Sequence, residues 1–117
     1  MTATFETTSV GHCSLAELCP IPAEKIASTI LLATPASKQI VFCLGQGQEL
    51  ADHQTPNVAT IHVLDGAVNV HILSDSVDES YSLETGGVVV IPSRVTHSVK
   101  AVEPTRMLLT LVKDSDQ

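Results

Sequence analysis

Five histidines and three cysteines carry most of the chemistry this chain can offer near neutral pH. Imidazole titrates in that range, and it can ligate a metal ion, move a proton or hold a ligand by hydrogen bonds. Cys13 and Cys19, with His12 beside them, lie near the N-terminus. The six-residue step between the two cysteines fits no zinc pattern, so they read as incidental thiols. Cys43, inside the run IVFCL, reads as a small buried hydrophobe. An odd cysteine count without a secretion signal predicts reduced thiols. His53 and His97 adjoin strand patterns that could aim them at an interior. His97 shares strand parity with Val99 and Ala101, opposite Ser98 and Lys100, and so points inward. Glu49 has the parity of His53 and could lend a carboxylate beside it.

The elements that must position these residues are short. Apolar runs broken by turn residues predict eight strands, over 27–33, 40–44, 58–64, 67–73, 80–83, 88–91, 97–102 and 106–113. No helical period of any length intervenes, which is the pattern of an all-β sandwich or barrel. Residues 1–26 read as an irregular N-terminal arm, and residues 27–117 as one domain. Within the arm SLAEL could form one helical turn, stopped by Cys19-Pro20. The arm either lies along its own domain or crosses to a partner subunit. Gly45-Gln46-Gly47 lies between strands and reads as a turn rather than a phosphate loop.

Asp65-Gly66 between apolar alternations predicts a two-residue hairpin, with Leu64 opposite Ala67 and Val63 opposite Val68. Ala59, Ile61, Val63, Val68, Val70 and Ile72 then face inward. Thr60, His62, Asn69 and His71 face outward, which places His62 and His71 close together across the hairpin but away from the interior. Two runs, Ile30–Leu32 and Val88–Ile91, are apolar at every position and predict burial on both faces. A small barrel cannot cover its own outer surface, so the expected cover is a second subunit in a homodimer.

The chain has 117 residues, 44% hydrophobic and 16% charged, enough for a modest core. A net charge of −7 argues against nucleic acid or an anionic membrane as partner. No apolar run reaches membrane-spanning length and the first ten residues carry no signal-peptide pattern, so the expected location is cytoplasmic. The sequence has no Gly-rich phosphate loop before a helix, no G-x-S-x-G elbow and no H-E-x-x-H pair.

The stretches Gly47–Gly66 and Gly86–His97 resemble the two motifs of the cupin superfamily, as a small conserved-barrel, RmlC-like member. In the first, Gly47 leads by five residues to His53, Thr55 stands at the second histidine position, Ala59 at the glutamate position, and Gly66 closes the motif. In the second, Gly86 leads by five residues to Pro92, Arg94 replaces a glycine, and His97 stands at the histidine position. The resemblance implies an antiparallel jelly-roll β-barrel. It also implies a pocket at His53, Thr55, Ala59 and His97, with His53 and His97 as the remaining metal-ligand positions. A full site of this type suits one divalent ion such as Fe, Mn, Ni or Zn. With two ligand positions lost, a metal-free pocket is equally consistent. The expected activity is small-molecule binding in the barrel. The rivals are a metal-dependent enzyme of dioxygenase or isomerase type, using two histidines and water, and a dimeric scaffold without pocket chemistry.

Overall fold

The computed structural model describes residues 2–114. After one helical turn, α1 (Leu15–Leu18), nine strands follow: β1 (Ile26–Ala33), β2 (Ser37–Leu44), β3 (Glu49–His53), β4 (Val58–Asp65), β5 (Ala67–Leu73), β6 (Asp78–Glu84), β7 (Val88–Ile91), β8 (Thr96–Ala101) and β9 (Thr105–Val112). They form a five-stranded sheet in the order β1-β2-β9-β4-β7 and a four-stranded sheet in the order β3-β8-β5-β6. All pairings are antiparallel. This is the expected all-β jelly roll, with β3 as a strand the apolar runs did not predict. Its sequence, ELADH, is polar and almost fully exposed, so it lacks the alternation that marks a half-buried strand.

The core lies between the sheets. Leu44, Ala59, Ile61, Val63 and Met107 come from one sheet, and Val68, Val70, Val99 and Ala101 from the other. Strand periodicity places these side chains on one face, and their burial is the main stabilising term. The inward set predicted on either side of Asp65-Gly66 is therefore correct, although the hairpin is not. β4 pairs with β7 and β9, while β5 pairs with β6 and β8. At Gly66 the chain steps from one sheet to the other.

The corner is pinned from outside the would-be ladder. Gly66 N–H donates to Thr85 Oγ1 at 3.1 Å and Ala67 N–H to Thr105 Oγ1 at 3.2 Å. Gly66 has φ of 110°, and a Cβ there would lie 2.4 Å from the Pro104 carbonyl oxygen. A two-residue corner keeps the same parity as a two-residue hairpin, which is why the buried set survives the change of topology. His62 and His71 do face outward, but they are not close together. His62 stands on the outer face of the larger sheet beside Leu108 and Val88, and His71 on the other sheet, 2.6 Å from Asp78 Oδ1.

The outer face of β1 and β2 is covered by the chain's own arm, not by a partner. Thr4 and Phe5 N–H groups donate to the Ile30 and Leu31 carbonyls, both at 2.8 Å. Phe5, Leu15, Leu18, Cys19 and Ile21 pack on Leu31, Val41 and Cys43 as a second core. A bulge between Ile30 and Leu32 turns both Leu31 and Leu32 to that side. The run Val88–Ile91 is not buried on both faces of this chain: Ile91 is in the core, but Val88 is 55% and Val90 61% exposed.

One buried cation holds the arm. Arg106 Nε and Nη2 donate to the Cys19 carbonyl at 3.2 and 3.1 Å, and Nη1 to Asp65 Oδ2 at 2.8 Å. The Cys43 thiol donates to the same carbonyl at 2.9 Å. Burial, reinforced by the neighbouring Cys19 side chain, pushes that thiol up to about 12, so it stays protonated and able to donate. Cys19 is thus a buried anchor of the arm, not an incidental terminal thiol. Arg106→Ala leaves the buried Cys19 carbonyl with only the weak Cys43 thiol as donor, and is expected to destabilise the fold by about 1–3 kcal/mol in urea unfolding. It should also open the arm to proteolysis between residues 12 and 25. Asp65→Asn, which alters a carboxylate that is 62% exposed, should cost less than about 1 kcal/mol and leave the arm protected.

Candidate functional site

His53 and His97 meet across the β3–β8 ladder. β8 alternates inward His97, Val99 and Ala101 with outward Ser98 and Lys100, as its sequence predicts. β3 does not keep its parity. Leu50 pairs with Val99 and His53 with His97, so three steps on β3 match two on β8. One extra residue in a strand reverses the face of everything beyond it. Glu49, opposite Lys100, is consequently exposed on the outer face, and the expectation that it shares a face with His53 fails.

The two rings contact edge to face, with centroids 4.2 Å apart and planes at 60°. His97 is 2% exposed, while His53 is exposed at the rim. Each Nδ1 lies 2.9 Å from a backbone carbonyl two residues earlier, Ala51 for His53 and Val95 for His97. A carbonyl only accepts, so each Nδ1 carries the proton and each neutral ring presents its lone pair at Nε2. Burial lowers the His97 pKa below its ordinary value, and a charge on His53 lowers it further. The Val95 carbonyl and the Asp52 carboxylate act in the opposite direction.

The other two expected pocket positions supply no ligand to this pair. Ala59 is fully buried on β4 between Ile91 and Leu111, an apolar wall. Thr55 lies in the loop between β3 and β4, where its Oγ1 accepts from Asn57 N at 3.2 Å and from Asn57 Nδ2 at 3.0 Å. Its carbonyl accepts from the Arg94 N–H at 2.7 Å. Arg94 keeps a left-handed backbone, φ 64°, at the position where the second motif has glycine. The motif's geometry is thus preserved at some backbone strain, a feature that concentrates around sites. Among the described residues no group of three or more His, Cys, Asp and Glu side chains could hold a metal ion. The His53–His97 pair fits part of a metal site and does not fit an ion held by protein ligands alone. No helix among the described residues is long and apolar enough to cross a membrane.

Comparison with known proteins gives the same architecture. No curated protein matches the sequence. A conserved protein of unknown function from Streptococcus pyogenes is 28% identical, with 98% of this chain and 97% of that one covered and a TM-score of 0.80. A cupin 2 conserved barrel domain protein from Leptotrichia buccalis is 31% identical over 85% of this chain and 46% of that one, with a TM-score of 0.76. Bacillus subtilis oxalate decarboxylase, an enzyme with Mn(II) centres, shares the fold at 16% identity, over 81% of this chain and 27% of that one, with a TM-score of 0.72. The cupin-domain family model matches residues 40–112, the span that holds His53, His97, most of β2 and all of β3 to β9, so the chain belongs to the cupin family.

Proposed function

We propose that this cupin binds a small molecule at the end of the barrel where His53 and His97 meet, with a weak metal site or none. The observation that carries this reading is the shared tautomer of the two rings. Two Nδ1–H groups tied to backbone carbonyls leave the Nε2 lone pairs free on two rings whose centroids lie 4.2 Å apart. Two adjacent acceptors suit a ligand with hydrogen-bond donors, such as hydroxyls or an amide. Ala59 and the Thr55 turn make the surroundings less polar than the full motif would.

The same tautomer favours a second reading. Metal-ligating histidines ordinarily donate the other ring nitrogen to a carbonyl or carboxylate, and both rings do so here. A bound divalent ion would supply Lewis-acid or redox chemistry, with water in its remaining positions. Elemental analysis of protein purified without chelator separates the two. The expected result is well under one equivalent of Fe, Mn, Ni or Zn, with donor-rich metabolites raising the melting temperature of wild type but not of a His53→Ala/His97→Ala double variant. Near one equivalent of metal, lost in the double variant, would replace the first reading with the enzyme.

The homodimer expectation narrows to one face, which we propose as the self-association surface. Val88, Val90, Thr60, His62, Thr110 and Val112 line the outer side of β7, β4 and β9, and none is a carboxylate or an ammonium. For a chain of net charge −7, close approach of a second copy is least opposed where carboxylates are absent. Light scattering should give a dimer for wild type and a monomer for Val90→Asp. A monomeric wild type at micromolar concentration would end this reading.

His97 also sets a pH dependence. Its folded pKa lies below the ordinary 6.5, so the unfolded chain takes up the proton first as pH falls. The contribution is complete above about 6.5 and is lost as pH drops from there towards the folded pKa. Urea unfolding at pH 7.5 and 5.5 should show lower stability at 5.5, and His97→Gln should flatten that difference.

A further inference from the structure

A second recognition feature lies at the same end of the barrel. A cavity of about 370 Å³ is lined by Lys38, Lys113, Thr34, Ser37, Asn57 and Leu111, among others. It contains two of the chain's six basic residues and no carboxylate, in a protein with thirteen acidic ones. The strand register explains how the lysines reach it. Lys38 pairs with Leu111, Leu111 with Ala59 and Ala59 with Ile91, so Lys38 belongs to the row of side chains that faces between the sheets. Lys113 follows Leu111 by two residues, and its N–H donates to the Ala36 carbonyl at 2.8 Å. Both ammonium groups are thereby carried to the rim on the inner side of the larger sheet.

The rest of the lining is built, not loose. Thr34 Oγ1 accepts from Ser37 N at 2.9 Å and from Ala36 N at 3.2 Å, which fixes the β1–β2 turn. Asn57 closes the other side and is held by its bonds to Thr55 Oγ1. Asp114, the carboxylate next in sequence to Lys113, does not line the cavity; its Oδ2 accepts from Ser93 Oγ at 2.9 Å. Only charges within about 8–10 Å dominate the local potential at physiological salt, so this rim can attract an anion although the molecule as a whole is acidic.

We infer that the cavity at Lys38 and Lys113 binds the anionic end of the ligand, and that the ligand is a small dianion that also carries hydroxyl donors, a dicarboxylate or a phosphate monoester. The inference rests on the proposal that this end of the barrel binds a small molecule, and it names the ligand's class. The loop 54–57 joins the two features: His53 precedes it, and Asn57 ends it in the cavity wall. One molecule anchored by two ammonium groups could present its donors to the imidazole lone pairs. Two lysines match a charge of about −2, and the hydroxyl and amide groups of Thr34, Ser37 and Asn57 can complete hydrogen bonds to oxygen.

Titration of the full chain with succinate and with inorganic phosphate, followed by amide NMR, tests the inference. The expected result is saturable shifts at Thr34, Ser37, Asn57 and Leu111, absent with chloride at equal ionic strength. Lys38→Gln/Lys113→Gln should weaken binding about tenfold or more, whereas Lys100→Gln, on the outer sheet face, should not. The His53→Ala/His97→Ala variant should retain the phosphate shifts, because inorganic phosphate is too small to need both features. Shifts that never saturate, or that Lys100→Gln removes equally, would mean solvated surface lysines only and would overturn the inference. A neutral metabolite that shifts His53 and His97 but not Lys38 would also overturn it, while leaving small-molecule binding intact.

Discussion

Every part of this molecule depends on strand parity. Two sheets bury only one face of each strand against the other, and alternate residues must therefore be apolar where the core lies. Ala59, Ile61 and Val63 on β4 and Val99 and Ala101 on β8 satisfy that constraint. His97 occupies the same inward row, so its imidazole is taken out of water by the same packing that stabilises the barrel. Desolvation then disfavours its charged form. The site's electrostatics are thus a consequence of the core and need no charged partner. The single residue that breaks the parity, in the β3 bulge, is also what brings His53 to His97.

A second constraint concerns the outer surface. A nine-stranded barrel of this length has more apolar strand surface than one core can hide. On β1 and β2 the chain solves this internally, with an arm that lays Phe5, Leu15, Leu18 and Cys19 on Leu31, Val41 and Cys43. A buried guanidinium would be costly without full satisfaction. Arg106 finds it in one carbonyl that accepts twice and in one carboxylate at the rim. The arrangement makes the Cys19 carbonyl the point at which arm, β2 and β9 are tied together. On β4 and β7 no such cover is provided by the arm, and Val88 and Val90 stay exposed.

The site itself combines retained geometry with changed chemistry. Arg94 holds the left-handed backbone that glycine would adopt freely, and its N–H ties the β7–β8 connection to Thr55. The two imidazoles keep the hydrogen-bonded tautomer that metal ligands use. The carboxylate and second imidazole positions are instead a methyl group and a turn-forming hydroxyl. The frame of a cupin centre is present without its full ligand set.

Much of this was legible in the sequence, because alternation and motif spacing are local properties. The short apolar runs showed an all-β barrel, and parity alone placed Ala59, Ile61, Val63, Val68 and Val70 in the core and His97 with them. The spacing Gly47–His53 and Gly86–His97 marked both imidazoles that the structure brings together. What the sequence could not decide was which elements lie side by side. Asp65-Gly66 has the same local signature in a hairpin and in a corner between sheets, and only the contacts with Thr85, Pro104 and Thr105 select the corner. The β3 bulge left no trace in the polar run ELADH, so the outward turn of Glu49 was invisible. The arm's path and the gathering of Lys38, Asn57 and Lys113 around one cavity likewise join residues far apart in the chain. Such proximity is set by how the two sheets close on each other, and that is a property of tertiary packing alone.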